Sequence, residues 1–85
     1  MTKIAHAAIR AADGRIFWVP RPGRHHDVIS FMVEEHEVSP IGGVQGFVTD
    51  GAAFLDREEA ARVALVSGQV RELGWPPLLY SEDLW

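Results

Sequence analysis

The chain has 85 residues, which suits one small domain over 1–85 and leaves no room for a second. It contains no cysteine, which excludes disulfides, thiolate metal sites and cysteine nucleophiles, and its formal net charge of −4 disfavours a nucleic-acid binder and favours a basic protein partner. No apolar run approaches the roughly 20 residues of a membrane span, and the first residues lack the apolar region of a signal peptide, so we expect a cytosolic protein.

The first predicted element is a β-hairpin over residues 4–19. An Asp13-Gly14 pair between two strand-like runs is a strong hairpin signal, and Pro20 and Pro22 end the second run because proline cannot donate to a sheet. A period of two then places alternate side chains of the first strand on opposite faces. One face carries Ala5, Ala7 and Ile9, and the other carries Ile4, His6, Ala8 and Arg10.

A helix is predicted next, over about 25–38. Apolar residues recur at helical spacing from Val28 to Val33, and Asp27 suits the first turn because the helix dipole favours an anion there. Pro40 and the paired glycines 42–43 end the helix.

The hairpin-helix pattern then repeats. Asp50-Gly51 indicates a second hairpin, and a helix over 56–68 follows, with Asp56 as its N-cap and Glu59 completing a capping box. We therefore predict an α+β fold, in which a small antiparallel sheet from two hairpins has two helices packed on one face.

The histidines do not form a recognisable metal site. His25 and His26 are adjacent and diverge on a helix, and no histidine pair has the i and i+4 spacing of zinc proteases. No serine has a nucleophile-elbow context and no phosphate-binding loop occurs, so we predict no catalytic residue, no metal, no cofactor and no enzyme activity. An enzyme acting on nucleotides through His25, His26 and Asp27 stays open as an alternative.

An acidic run near the end of the first helix is the main candidate for partner binding. Glu34, Glu35 and Glu37 have no cation four residues away on either side, and the helix dipole disfavours anions at this end. A solvated face is the ordinary explanation of such a run, and a partner-facing patch is the alternative. Asp50, Glu82 and Asp83 are further candidates because we expect them to be exposed.

Aromatic residues offer a second candidate surface. Phe17 and Trp18 point to opposite sides of their strand, so one of them faces away from the helices if these cover only one face. Trp75 and Trp85 lie in a proline-rich segment where full burial is difficult. An exposed aromatic side chain beside acidic ones is typical of an interface hot spot.

Four segments resemble, in order, a family of small proteins encoded by phages and prophages of proteobacteria. They are "AAIRAADGRIF", "RHHD", "GFVTDGAAFLDREEAARVALVSGQ" and "LLYSEDLW". The composition also resembles small anti-CRISPR proteins, which implies an inhibitor of a type I-C CRISPR surveillance complex. Such a protein would mimic the charge of DNA, occupy a basic groove of a protein subunit and block target DNA binding without itself contacting nucleic acid.

A small-ligand binder, for instance of a nucleotide immune signal, is the alternative from another class. It would line a pocket with arginines and grip phosphate at the start of the first helix. Its candidate residues are Arg10, Arg15, Arg24, His25, His26 and Arg57. A continuous acidic face would favour the inhibitor, and a concave pocket lined by arginine would favour the ligand binder.

Overall fold

The computed structural model describes residues 2–85 and contains a four-stranded antiparallel sheet with two helices. The strands are β1 (Ile4–Arg10), β2 (Ile16–Trp18), β3 (Val44–Thr49) and β4 (Phe54–Asp56), in the spatial order β2-β1-β3-β4. The helices are α1 (His25–Ser30), which continues as a π-helical turn (Phe31–Glu35), α2 (Arg57–Ser67) and a short 3₁₀ helix (Ser81–Asp83). The predicted α+β fold built from two hairpins is confirmed.

One face of the sheet carries the core. Phe17, Ala7 and Phe47 face the helices and belong to one buried cluster, whereas Trp18 lies on the opposite face and is 45% exposed. The opposite orientations predicted for Phe17 and Trp18 are thus confirmed. The helices contribute these side chains to the same cluster: Val28, Met32, Ala60, Ala61 and Ala64.

A bulge in β1 changes the predicted assignment of faces. The pairing of β1 with β3 shifts register between Ile4 and His6, so Ile4 joins Ala7 and Ile9 in the core. The prediction that Ile4 shares a face with His6 was wrong, because a bulge inserts one residue into the alternation. Ala5, predicted to lie with Ala7, instead lines a cavity together with His6.

The second helix begins and ends as predicted. Asp56 Oδ1 accepts from the amide of Glu59 at 2.8 Å, Glu59 Oε1 accepts from the amide of Asp56 at 3.1 Å, and Gly68 ends α2 with a φ of 78°. No helix within residues 2–85 is long and apolar enough to cross a membrane.

The first helix is shorter than the predicted 25–38. Its π-helical turn ends at Glu35, and Glu37 has a φ of 54°, a left-handed conformation that stops the helix before Val38. The amide of Val38 then donates to the carbonyl of Met32 at 2.9 Å and closes this end. Glu37 therefore follows the helix instead of lying on it.

The C-terminal segment packs against both helix starts. Leu79 is fully buried in the core, and its amide donates to the carbonyl of Arg57 at 3.1 Å. Trp85 Nε1 donates to the carbonyl of Gly23 at 2.9 Å. The chain end and the start of α1 are thereby joined, and these bonds fix the position of the C-terminal segment that carries the site described next.

Candidate functional site

A surface groove of about 430 Å³ lies between the Gly74-Trp75 segment and the 3₁₀ helix. Its lining residues are Gly74, Trp75, Tyr80, Glu82 and Asp83. Trp75 is 74% exposed, and the Glu82 side chain is 64% exposed. The groove thus combines a large, exposed aromatic surface with carboxylates, and its lining contains no basic residue within the described part of the chain.

The walls of the groove are tied together by Asp83. One carboxylate oxygen accepts from the amide of Gly74 at 3.2 Å, and the other accepts from the amide of Tyr80 at 2.9 Å. Trp75 and Leu78 form a tight turn around two prolines, with the amide of Leu78 donating to the carbonyl of Trp75 at 3.0 Å. Trp75 is therefore exposed on a turn that these bonds already hold in shape, which reduces the entropy lost when a partner binds.

An arginine supports the groove from behind. The Arg57 guanidinium stacks on the ring of Tyr80 at 4.2 Å, and it donates to the carbonyl of Leu79 at 2.8 Å and to the side-chain oxygen of Gln45. Burial lowers the pKa of Arg57, and the nearby Tyr80 and Glu82 act in the opposite direction. Arginine stays charged at any working pH, so Arg57 is a permanent cation beneath Tyr80.

His25 lies buried beside this arginine. Its Nε2 donates to the carbonyl of Gly46 at 2.7 Å, which places the proton of the neutral ring on Nε2, and the ring packs edge-on against Phe47 at 5.0 Å. Burial is the main reason that the pKa of His25 is lowered; Arg57 lowers it further, while the Gly46 carbonyl and Glu82 oppose the change. His25 therefore joins the start of α1 to β3 as a neutral hydrogen-bond donor.

This burial predicts a pH-dependent stability. In the unfolded chain His25 has a pKa of about 6.5, and in the folded protein its pKa is lower, so the unfolded state binds more protons as the pH falls below that value. We expect the melting temperature to be highest above about pH 7 and to fall as the pH drops through about 6.5 toward 5. Thermal melts followed by circular dichroism across this range measure the slope.

Two variants test whether His25 causes this dependence of melting temperature on pH. His25→Gln removes the titrating ring and should flatten the pH dependence, leaving a smaller part from His6, whose pKa is also lowered by burial and by Arg21. His26→Gln should keep the slope, because that side chain is 78% exposed. An unchanged slope in His25→Gln would show that another group carries it.

The acidic residues predicted to bind a partner lie at three places. Glu82 and Asp83 are in the groove, with Glu82 Oε1 at 3.6 Å from Arg24 Nη1 near the start of α1. Glu34, Glu35 and Glu37 are at the opposite end of the first helix, all exposed and without an ion pair to any residue in 2–85. Asp50 lies in the second hairpin turn, where its Oδ1 accepts from the amide of Lys3 at 3.3 Å.

The residues of the predicted arginine pocket separate into two groups. Arg10 stacks on Phe54 and Arg15 pairs with Asp13 at 2.7 Å, both away from the helix start. The second group is brought together at the chain end, where Arg24 donates to the carbonyl of Trp85 and Arg57 and His25 make the bonds given above. His26 is exposed and lies 3.4 Å from Asp27.

Sequence reasoning missed Tyr80 and Gln45 as parts of this site. Tyr80 falls in the segment "LLYSEDLW" and Gln45 in β3, but neither position carries a sequence signal for a site, and their shared feature is contact with Arg57. No group of three or more histidine, aspartate or glutamate side chains in residues 2–85 is placed to hold a metal ion.

Comparison with known proteins relates the chain to one protein family. The chain matches the family described as Phage T4 y16D protein over residues 3–85. No curated protein and no solved structure matches it. The match spans nearly the whole chain and confirms a small, phage-encoded family as the context. The chain therefore belongs to the Phage T4 y16D protein family.

Proposed function

We propose that this protein is a non-catalytic phage inhibitor that binds a basic surface of a type I-C CRISPR surveillance complex and blocks access of target DNA. The observation that carries the proposal is the groove in which exposed Trp75 lies beside the carboxylates of Glu82 and Asp83. Tryptophan is enriched among the few residues that dominate binding energy, and carboxylates complement a surface that holds DNA. The phage family and the net charge of −4 support the same reading.

The two acidic regions would have different roles in this interaction. Trp75 and Glu82 would form the contact, since both border a groove whose walls are tied by hydrogen bonds. Glu34, Glu35 and Glu37 lie beyond the other end of the first helix and would act mainly through long-range attraction, which speeds the encounter.

The alternative of a ligand binder with an arginine-lined pocket has less support. Arg24, His25 and Arg57 already donate to acceptors of the protein itself, and none of them lines the groove. Their present bonds join the chain end to the body of the fold. A ligand at this position would have to displace those bonds.

The test is binding to purified type I-C surveillance complex, followed by a target-DNA binding assay with an excess of this protein. Trp75→Ala should weaken binding to the complex about tenfold or more. Ile41→Ala is the matched control, since Ile41 is an exposed apolar residue outside the groove, and it should bind like the parent. If the complex binds target DNA equally well with and without the protein, the proposal is wrong.

Charge variants distinguish direct contact at the groove from long-range electrostatic attraction. Glu82→Lys should raise the dissociation rate, whereas lysine at Glu34, Glu35 and Glu37 together should slow association and make it less salt-sensitive, without loss of the fold. Glu58→Lys controls for net charge, because it changes the charge by the same amount as Glu82→Lys at an exposed position outside the groove. Lysine in the first turn of α2 opposes the helix dipole and repels Arg62, so a thermal melt checks that this control stays folded. An unchanged association rate in the triple variant would mean that those glutamates form a solvated face and take no part in binding.

A further inference from the structure

The face of the sheet that the helices leave uncovered contains a second cavity, of about 410 Å³. Its lining residues are Ala5, His6, Ile16, Trp18, Val48, Thr49, Asp50 and Ala52. A mostly apolar cavity of this volume with a few polar groups is typical of small-molecule sites, which measure roughly 300–1,000 Å³. None of its lining residues belongs to the groove proposed above to bind a protein.

A stacked pair of rings forms one wall of this cavity. The rings of His6 and Trp18 lie 4.6 Å apart with an angle of 13° between their planes, and Trp18 is 45% exposed. A flat, exposed ring system on a sheet is a surface on which a planar heterocycle stacks.

One nitrogen of each ring is a hydrogen-bond donor without a partner in the described part of the protein. His6 Nδ1 accepts from the amide of Arg21 at 3.1 Å, so the proton of the neutral ring is on Nε2. Burial, and then Arg21, lower the pKa of His6, which keeps the ring neutral at physiological pH. Neither His6 Nε2 nor Trp18 Nε1 makes a hydrogen bond within residues 2–85.

The carboxylate of Asp50 supplies a hydrogen-bond acceptor to the cavity. Asp50 Oδ1 accepts from the amide of Lys3 at 3.3 Å, and Oδ2 has no hydrogen-bond donor within residues 2–85. The lining contains no arginine or lysine, so a phosphate group inside the cavity would lie beside the Asp50 carboxylate with no cation among the lining residues. The cavity therefore favours an uncharged ligand that offers both donors and acceptors.

We propose that this cavity binds a guanine nucleoside, with the base stacked on the Trp18–His6 pair. Guanine carries an N1–H and an amino group side by side, and both can donate to the carboxylate of Asp50. The ribose hydroxyls, which lie beside a stacked base, can accept from the N–H groups at the edges of the two rings. The uncharged ribose is compatible with a lining that has one carboxylate and no cation.

The test is a two-dimensional amide NMR titration of the full chain with guanosine. Shifts should concentrate at the lining residues and at the Trp18 indole N–H, with a dissociation constant between roughly 10 μM and 1 mM. Inosine, which lacks only the amino group at position 2 of the base, should bind about tenfold more weakly. No shifts up to the solubility limit of guanosine, or equal binding of inosine, would overturn the proposal.

Variants test each contact. Asp50→Asn can still accept from the amide of Lys3, and it should remove the preference for guanosine over inosine. Trp18→Leu should abolish binding, while Trp75→Leu, in the other groove, should leave it unchanged. Tighter binding of guanosine monophosphate than of guanosine would contradict the choice of an uncharged ligand. The inosine comparison uses the parent protein, so it decides the proposal even if Trp18→Leu fails to fold.

Discussion

Replacing Gly46 with alanine should lower the free energy of unfolding by about 3 kcal/mol or more. Gly46 is in β3 at the centre of the sheet, paired with Ala8 on one side and Asp56 on the other. A Cβ at this position would overlap the carbonyl oxygen of Leu55 and lie 2.8 Å from Cζ of Phe54 and 3.0 Å from Cα of Asp56. Since two of these atoms are backbone, β4 would have to move away from β3.

Any movement of β3 itself would also reach the start of α1. The carbonyl of Gly46 accepts the hydrogen bond from buried His25, so a shift of β3 also strains that bond. Chemical denaturation at neutral pH measures the loss as a lower midpoint with an unchanged slope.

Gly51→Ala is the matched control for this substitution. Its Cβ would meet only Thr49 Oγ1, at an ordinary distance of 3.8 Å, and Gly51 lies in an exposed turn. We expect a change within about 0.5 kcal/mol. Equal stability of the two variants would mean that the edge strand β4 can separate from β3 at little cost.

The parts of the fold that the sequence predicted correctly are those that depend on local chemistry. The turns at Asp13-Gly14 and Asp50-Gly51 and the capping box of α2 each involve residues a few positions apart. A carboxylate at a helix start has the same effect in almost any surroundings, and Gly14 takes the positive φ of 92° that glycine favours at a turn. In the second turn that conformation belongs to Ala52, with a φ of 66°, so Asp50-Gly51 indicated where the chain turns and not which residue adopts the left-handed backbone. The two hairpins and α2 could therefore be recognised without knowledge of the rest of the chain.

The parts that it did not predict depend on contacts between distant residues. The bulge in β1 occurs in its pairing with β3, some forty residues later, and nothing in the run around Ile4 signals it. Likewise, the position of Leu79 depends on Arg57, which binds its amide and carbonyl through a main-chain and a side-chain bond. A segment with two adjacent prolines and no period offers no local reason for that arrangement.

The candidate site was likewise predictable only where it depends on local features. Exposure of Trp75 and of the acidic residues followed from composition and position, and each is exposed or half-exposed in the structure. Their grouping did not follow, because the groove exists only where Asp83 binds the amides of Gly74 and Tyr80. A list of exposed acids therefore could not separate Glu82 and Asp83 from Glu34, Glu35 and Glu37.

Replacing Arg57 with methionine should lower the free energy of unfolding by about 2–3 kcal/mol. Methionine keeps much of the apolar stem and removes two side-chain hydrogen bonds, to Leu79 and Gln45, together with the stacking on Tyr80. Lysine should rescue little of the loss, since an ammonium lacks the planar fork that reaches both acceptors. Denaturation curves measure the total, and amide exchange of Leu79 and Tyr80 reports whether the chain end loosens first.

The effect of Arg57→Met on partner binding shows whether Arg57 only supports the groove or contacts the partner itself. Because Arg57 stacks on Tyr80, which lines the groove, its loss should weaken the partner interaction at the Trp75 groove in proportion to the faster exchange of residues 78–83. Arg62→Met is the control: Arg62 is an exposed residue of the same helix, paired with Glu58 at 3.6 Å, and its loss should cost only about 0.5 kcal/mol and leave binding intact. If Arg57→Met abolished partner binding while exchange of the chain end stayed unchanged, Arg57 would itself contact the partner, and the groove would extend beneath Tyr80.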